Sequence, residues 1–122
     1  MSKTVDDTVL DGALNIIKNN VVSMSACSAQ PTTRTEAATT FKLAIQTMVS
    51  GDFTIANGDT NGRKVTTAAK STVAVDSTGT ATHVALFDAT ILRYVTTCTS
   101  QLLTSGNTVN FPAWDIEIAD PT

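Results

Sequence analysis

With 122 residues, 8 basic against 11 acidic side chains, a formal net charge of −3 and an isoelectric point near 4.8, the chain is sized for one domain spanning 1–122, large enough to bury a core without metal or disulfide staples. The acidic balance, with Arg63-Lys64 as the only adjacent basic pair, excludes the clustered cations that a nucleic-acid binder needs, and no apolar run of ~18 residues marks a membrane span. Hydrophobic residues make up 42% and charged ones only 16%, so the polar surface must come from Thr, Ser and Asn, a composition that suits pleated sheet better than helix.

The first predicted element is an amphipathic helix from Thr4 to Asn19 within an N-terminal segment 1–20, with Val9, Leu10, Ala13, Leu14 and Ile17 on one face. Thr4 and Asp7 have the spacing of a capping box, and Asn19-Asn20 offer a left-handed stop. The segment can plug one end of a β domain spanning 21–122 or dock on a partner, and the need of a small sheet for a cover favours the plug. Acidic residues stand where a signal peptide would place its apolar stretch, so the sequence predicts a product made and used without Sec export.

Val21 to Ala29 reads as a strand, with Val22, Met24 and Ala26 alternating against Val21, Ser23 and Ser25, and Gln30-Pro31 ends it. Thr33 and Glu36 can cap a short helical turn. Phe41, Leu43, Ile45, Thr47 and Val49 alternate along a second strand, Ser50-Gly51-Asp52 is its turn, and Phe53-Thr54-Ile55 is the returning edge. Asn57-Gly58 and Asn61-Gly62 mark tight turns. Arg63 to Ala68 and Ser71 to Val75 form one long strand or two short ones. Ala81 to Cys98 reads as a hairpin turning at Asp88-Ala89-Thr90, and Asn107 to Ile118 as a further strand after Ser105-Gly106. The count is about seven strands in a single-domain, mainly β fold, an antiparallel sandwich or barrel.

Four constellations could carry chemistry. Asn57-x-Asp59-x-Asn61-Gly62 comes close to the first half of a calcium loop, but the twelfth position is Ala68 instead of a bidentate Glu, and a hairpin loop explains the same residues. His83, the only histidine, alternates with Val84 and Leu86 as a half-exposed strand residue. Asp115 and Glu117 share one face of the last strand and therefore one environment, unlike the split environments of a glycosidase acid and base. Cys27 and Cys98 form no Cys-x-x-Cys pair, so zinc is not expected; reduced buried thiols are expected, with a disulfide open only if their strands are neighbours. No catalytic, cofactor or metal residue is nominated. The candidate core or interface anchors are Phe111, Trp114, Ile116 and Ile118, with Trp114, Ile116 and Ile118 inward and the two acids outward. Pro112 makes this segment an edge strand or bends it, and an edge needs a cover that a neighbouring subunit can provide.

Ala29-Gln-Pro-Thr-Thr33, the run Asp52 to Thr60, Gly62-Arg-Lys-Val65, the run Gly79 to Ala85, Tyr94 to Ser100 and Phe111 to Ile118 together resemble a family of small structural proteins of tailed bacteriophages, over nearly the whole chain. The resemblance implies a virion component without enzymatic chemistry. Within it, a capsid decoration (cement) protein is expected on the capsid exterior, bound to the major capsid protein and to itself as a homo-oligomer, with a trimer the expected state. A tail, collar or fibre-base component is the alternative. A carbohydrate-binding module for host attachment is a third reading, for which one Trp, one Tyr and four Phe are a thin supply.

Overall fold

A computed structural model describes residues 3–121. One helix and nine strands are assigned: α1 (Asp7–Asn20), β1 (Ser23–Cys27), β2 (Lys42–Thr47), β3 (Phe53–Asn57), β4 (Arg63–Thr67), β5 (Lys70–Ala74), β6 (Gly79–Phe87), β7 (Leu92–Leu103), β8 (Thr108–Phe111) and β9 (Trp114–Ile118). They form three antiparallel sheets in the orders β2-β1-β6-β7, β3-β4-β9 and β5-β8. The fold is therefore mainly β with an N-terminal helix, as expected. The strand number exceeds the expected seven because Arg63 to Val75 is two strands and because Asn107 to Ile118 is broken at Pro112-Ala113.

That break is a change of sheet. β8 pairs with β5 and β9 with β4, so the two residues without strand geometry carry the chain from the two-stranded to the three-stranded sheet. Proline lacks the N–H a continuous ladder would require. A second switch sits at Ser50–Asp52, which forms a 3-10 turn. The expected return of Phe53-Thr54-Ile55 alongside β2 does not occur. Asp52 accepts from the Val49 N–H at 2.9 Å and pairs with Lys70 at 2.8 Å, and Phe53 enters the core opposite Thr67 on β4.

Helix α1 starts three residues later than the Thr4 expectation, because Asp6 and not Thr4 is the cap: its carboxylate accepts the Thr8 N–H at 3.0 Å. Nor does an asparagine in left-handed geometry end it. Val21 leaves in extended conformation while its N–H still reaches the Ile17 carbonyl. Leu10, Leu14 and Ile17 face the core, whereas Val9 is 64% exposed and Ala13 is also outside. The inward stripe is narrower than expected, and its other flank, away from Val9 and Ala13, is held by ions. The Arg63 guanidinium grips Asp11 through two contacts of 2.8 and 3.3 Å, and Lys18 donates to the Ser50 and Phe53 carbonyls at 3.1 and 2.6 Å.

The four-stranded sheet is covered on both faces. One face, carrying Met24, Ala26, Val84 and Leu86, shares a core with Leu14 and Ile17 of α1, Phe53, Val65 and Ile116 of the three-stranded sheet, and Val73 and Phe111 of the two-stranded sheet. The other face gathers Cys27, Ala85 and Phe87 against Ala37, which lies in a π-helical turn, Glu36–Thr40. Thr33 Oγ1 accepts the Glu36 N–H at 3.1 Å, as the cap reading requires, while the Glu36 carboxylate turns to the Thr32 N–H at 2.8 Å. Ser25 lies on the face opposite Met24 and Ala26. It is fully buried because its hydroxyl donates to the Ala37 carbonyl at 2.9 Å and so ties that turn to the sheet. Arg34 completes the cover, its guanidinium 5.4 Å above the Phe87 ring.

Irregularities shape the sheets. Leu43 is an extra residue opposite the Ala26-Cys27 step, so Leu43 and Ala44 both enter the same core. β7 carries two extra residues against Ala81–His83 and another against Leu86–Phe87. In β5, Thr72 sits at φ 59°, inside another register shift. A β-branched residue pays a steric penalty of roughly 1–2 kcal/mol in that left-handed region. Thr72→Gly keeps the N–H that donates to Asn110 Oδ1 and relieves the strain, with the greater chain entropy of glycine returning part of the gain. A net stabilisation of about 0.5–1 kcal/mol is expected, read as a raised denaturation midpoint.

The turn between β6 and β7 is organised by Asp88. Its carboxylate accepts from the Thr90 and Ile91 N–H groups at 2.8 and 2.6 Å and from Arg93 Nε at 2.8 Å. The two backbone bonds first, and then Arg93, hold its pKa down to about 2. A carboxyl depressed in the folded state contributes stability that is whole above its unfolded pKa near 4 and is lost as pH falls through 2. Asp88→Asn is thus expected to melt below the wild type at pH 6, with the gap closing between pH 4 and 2; thermal melts across that range read it.

Candidate functional site

The nominated anchors separate into two groups. Ile116 is buried, and Trp114 and Ile118 are half-buried on the same face of β9, while Asp115 and Glu117 point outward, so the expected alternation describes the strand. Trp114 stacks on Tyr94 of β7 with ring centroids 5.9 Å apart and planes at 25°. Its Nε1–H is buried without a hydrogen-bond partner. Phe111 lies on β8 on the other side of the Pro112 break and contributes to a different feature, described below.

The outward acids are structural. Asp115 accepts from the Thr66 hydroxyl at 2.6 Å and lies 3.5 Å from the Lys64 ammonium, and Glu117 accepts the Asp59 N–H at 2.6 Å. The calcium-like loop is occupied by the same network. Asn57 Oδ1 accepts from Arg63 at 2.7 Å, Asp59 from Lys64 at 2.7 Å, and Asn61 from the Asp120 N–H at 3.0 Å. The side-chain oxygens that would ligate a cation thus serve the β3–β4 hairpin and its link to the end of β9. Gly62, at φ 71°, has no room for a side chain against the Ile118 carbonyl, which accounts for the Asn-Gly pair without metal. Among the described residues, no group of three or more His, Cys, Asp and Glu is placed to hold a metal ion.

His83 is half-buried and bonded through Nδ1 to the Thr82 hydroxyl at 2.8 Å. Both cysteines are free thiols. β6 separates their strands, Cys27 pairing with His83 and His83 with Thr97, so two inter-strand steps put them about 10 Å apart, beyond the ~7 Å reach of a disulfide. Burial raises the pKa of both, so neither is an activated nucleophile.

What the sequence did not reveal is a cavity of about 230 Å³ between β7 and β8. Ala26, Ala81, Val84, Leu103, Val109 and Phe111 give it apolar walls, and Cys98, Thr99, Gln101, Asn110 and Pro112 complete the lining. No charged side chain takes part. The local cause is the Thr104–Asn107 connection. It is short enough for a hairpin, yet β7 pairs only with β6 and β8 only with β5, so the strands splay and the space between them stays open. Period-2 reading cannot register this, because the extra residues in β7 that place Cys98 and Gln101 around the cavity leave no mark in the hydrophobic pattern.

No family model, no curated protein and no solved structure matches the chain. No helix among the described residues is long and apolar enough to cross a membrane.

Trp114 admits a sharp test. Trp114→Ala removes a half-buried ring from the main core and is expected to cost about 2–3 kcal/mol, below the range for fully buried tryptophan. Trp114→Phe keeps the stack and removes the orphaned N–H, and should stay within about 1 kcal/mol of wild type. Chemical denaturation of the two variants, with Asp115→Asn as a surface reference, separates packing from a role in binding.

Proposed function

We propose that this chain is a non-enzymatic structural protein of a tailed-phage virion, a capsid decoration protein that binds the shell exterior and stabilises it through added interface. The reading takes the chain as one domain, an open β-sandwich, acting on the major capsid protein and on further copies of itself, with a trimer as the proposed state. It rests first on the family resemblance of the sequence. The structural observation that supports it most is the long edge strand β7. Its twelve residues are rich in Thr and carry one charge, Arg93, and their only strand partner is β6. Beyond its bulges and Arg93, little on this long edge blocks pairing with another chain, and an interface supplies the cover.

The distribution of charge agrees with a binding rather than a catalytic role. Asp52, Asp59, Asp88 and Asp115 are each paired with a lysine or arginine of the same chain. A tail, collar or fibre-base protein is the alternative within the same class. The stacked Tyr94–Trp114 pair is the one feature favouring a carbohydrate-binding module, and binding on a glycan array would bring that reading forward.

Mass spectrometry of gradient-purified particles of the parent phage is expected to detect the chain as a stoichiometric component. A shell ligand follows capsid symmetry and should number roughly hundreds of copies per particle, whereas a tail fitting should number far fewer. Absence from purified particles would refute the virion assignment, and a low copy number would replace the shell by the tail.

A further inference from the structure

We propose that the opening between β7 and β8 is a strand-docking slot, in which an extended segment of a partner protein pairs with the outer edge of β7 and places one uncharged, apolar side chain in the cavity. Two independent features converge there. The first is backbone chemistry. β7 is the last strand of its sheet, so the N–H and C=O groups on its outer side have no partner strand, and an extended chain is the group that satisfies a row of them together. The second is the cavity beside that edge, lined by Cys98, Thr99 and Gln101 of β7 on one side and Val109, Phe111 and Pro112 of β8 on the other. Strand addition takes its affinity from the ladder and its selectivity from such a pocket.

The lining decides the chemistry of the anchor. It carries no charge, and Ala26 and Ala81 in its lining are small and buried, so a charged or strongly polar group entering it would lose hydration without return. At about 230 Å³ the space exceeds the roughly 150 Å³ apolar cavity that accepts benzene, which fits an aromatic or large aliphatic side chain. Asn110, in the lining, is held by the Thr72 N–H at 2.9 Å, so that wall is already positioned. The slot stands on this geometry alone; that the incoming segment belongs to a virion subunit rests on the function proposed above.

Indole, the tryptophan side chain as a free molecule, is the first probe. Titrated into the full chain, it is expected to shift the amide resonances of Ala26, Ala81, Val109 and Phe111 saturably, with a dissociation constant on the order of a millimolar. Ala81→Leu on β6 and, because Cys98 is only half-buried, Cys98→Leu on the neighbouring β7 fill the space from two separate positions and should each weaken indole at least tenfold. The same two variants should load onto particles stripped of the protein at least tenfold less than wild type, with Asp115→Asn loading normally. Unmoved cavity resonances, or filled variants that bind indole like wild type, would overturn the slot. Filled variants that lose indole yet load normally would overturn the docking of a partner strand there. Wild-type protein that binds indole but never loads would sink the virion reading and leave the slot standing.

Discussion

The four-stranded sheet is apolar on both faces, and the remainder of the structure answers that single demand. Central strands β1 and β6 present Met24, Ala26, Val84 and Leu86 one way and Cys27, Ala85 and Phe87 the other. A sheet of this kind cannot leave either side to water. The larger face takes α1 and both smaller sheets. The smaller face has only one helical turn and Arg34 to cover it, which is why the Ser25–Ala37 hydrogen bond matters more than its length implies: it fixes the lid where few apolar contacts could. Both sheet switches, at Ser50–Asp52 and Pro112-Ala113, exist to bring chain across the larger face.

Charge is spent on the same task. From Lys18 onward every lysine and arginine contacts a carboxylate or a backbone carbonyl: Lys18 and Arg34 bind carbonyls, and Lys42, Arg63, Lys64, Lys70 and Arg93 bind aspartates. Individually, exposed pairs contribute little, but they direct α1 onto β4 and knit the β3–β4 loop to β9. The surface that remains is hydroxyl-rich and weakly charged. Such a surface offers shape, backbone and apolar contact rather than electrostatic steering.

Much of this was readable in advance, and the failures have identifiable causes. The β6–β7 hairpin was legible because Asp88-Ala89-Thr90 is a local signal between two β-branched runs, and the alternation of Trp114 to Ile118 was legible because β9 has one covered and one open face. The burial of Ser25 was not, since it depends on a turn 12 residues away in sequence. The start of α1 differs from the Thr4–Asp7 spacing because the Asp6 carboxylate, not the Thr4 hydroxyl, takes the Thr8 N–H, and a capping-box spacing does not say which of two nearby oxygens reaches the free N–H groups. Of the candidate site, Phe111 was named as an anchor, but its neighbours across the cavity were invisible: a splayed hairpin and an extra residue are long-range outcomes of where strands find partners.

The bulge at Leu43 has a bearing on how copies of this protein can associate. By turning outward, the Leu43 carbonyl accepts both the Asp76 and Ser77 N–H groups at 2.7 and 3.2 Å, while Ala44 bridges to Val75 and Lys42 pairs with Asp76 at 3.0 Å. The outer side of β2 is thereby stitched to its own chain, whereas β7 stays available. The sheet is consequently one-sided as a building block. A strand added at β7 would find no matching acceptor edge at the far end of this sheet in the next copy, so head-to-tail growth through the four-stranded sheet is blocked.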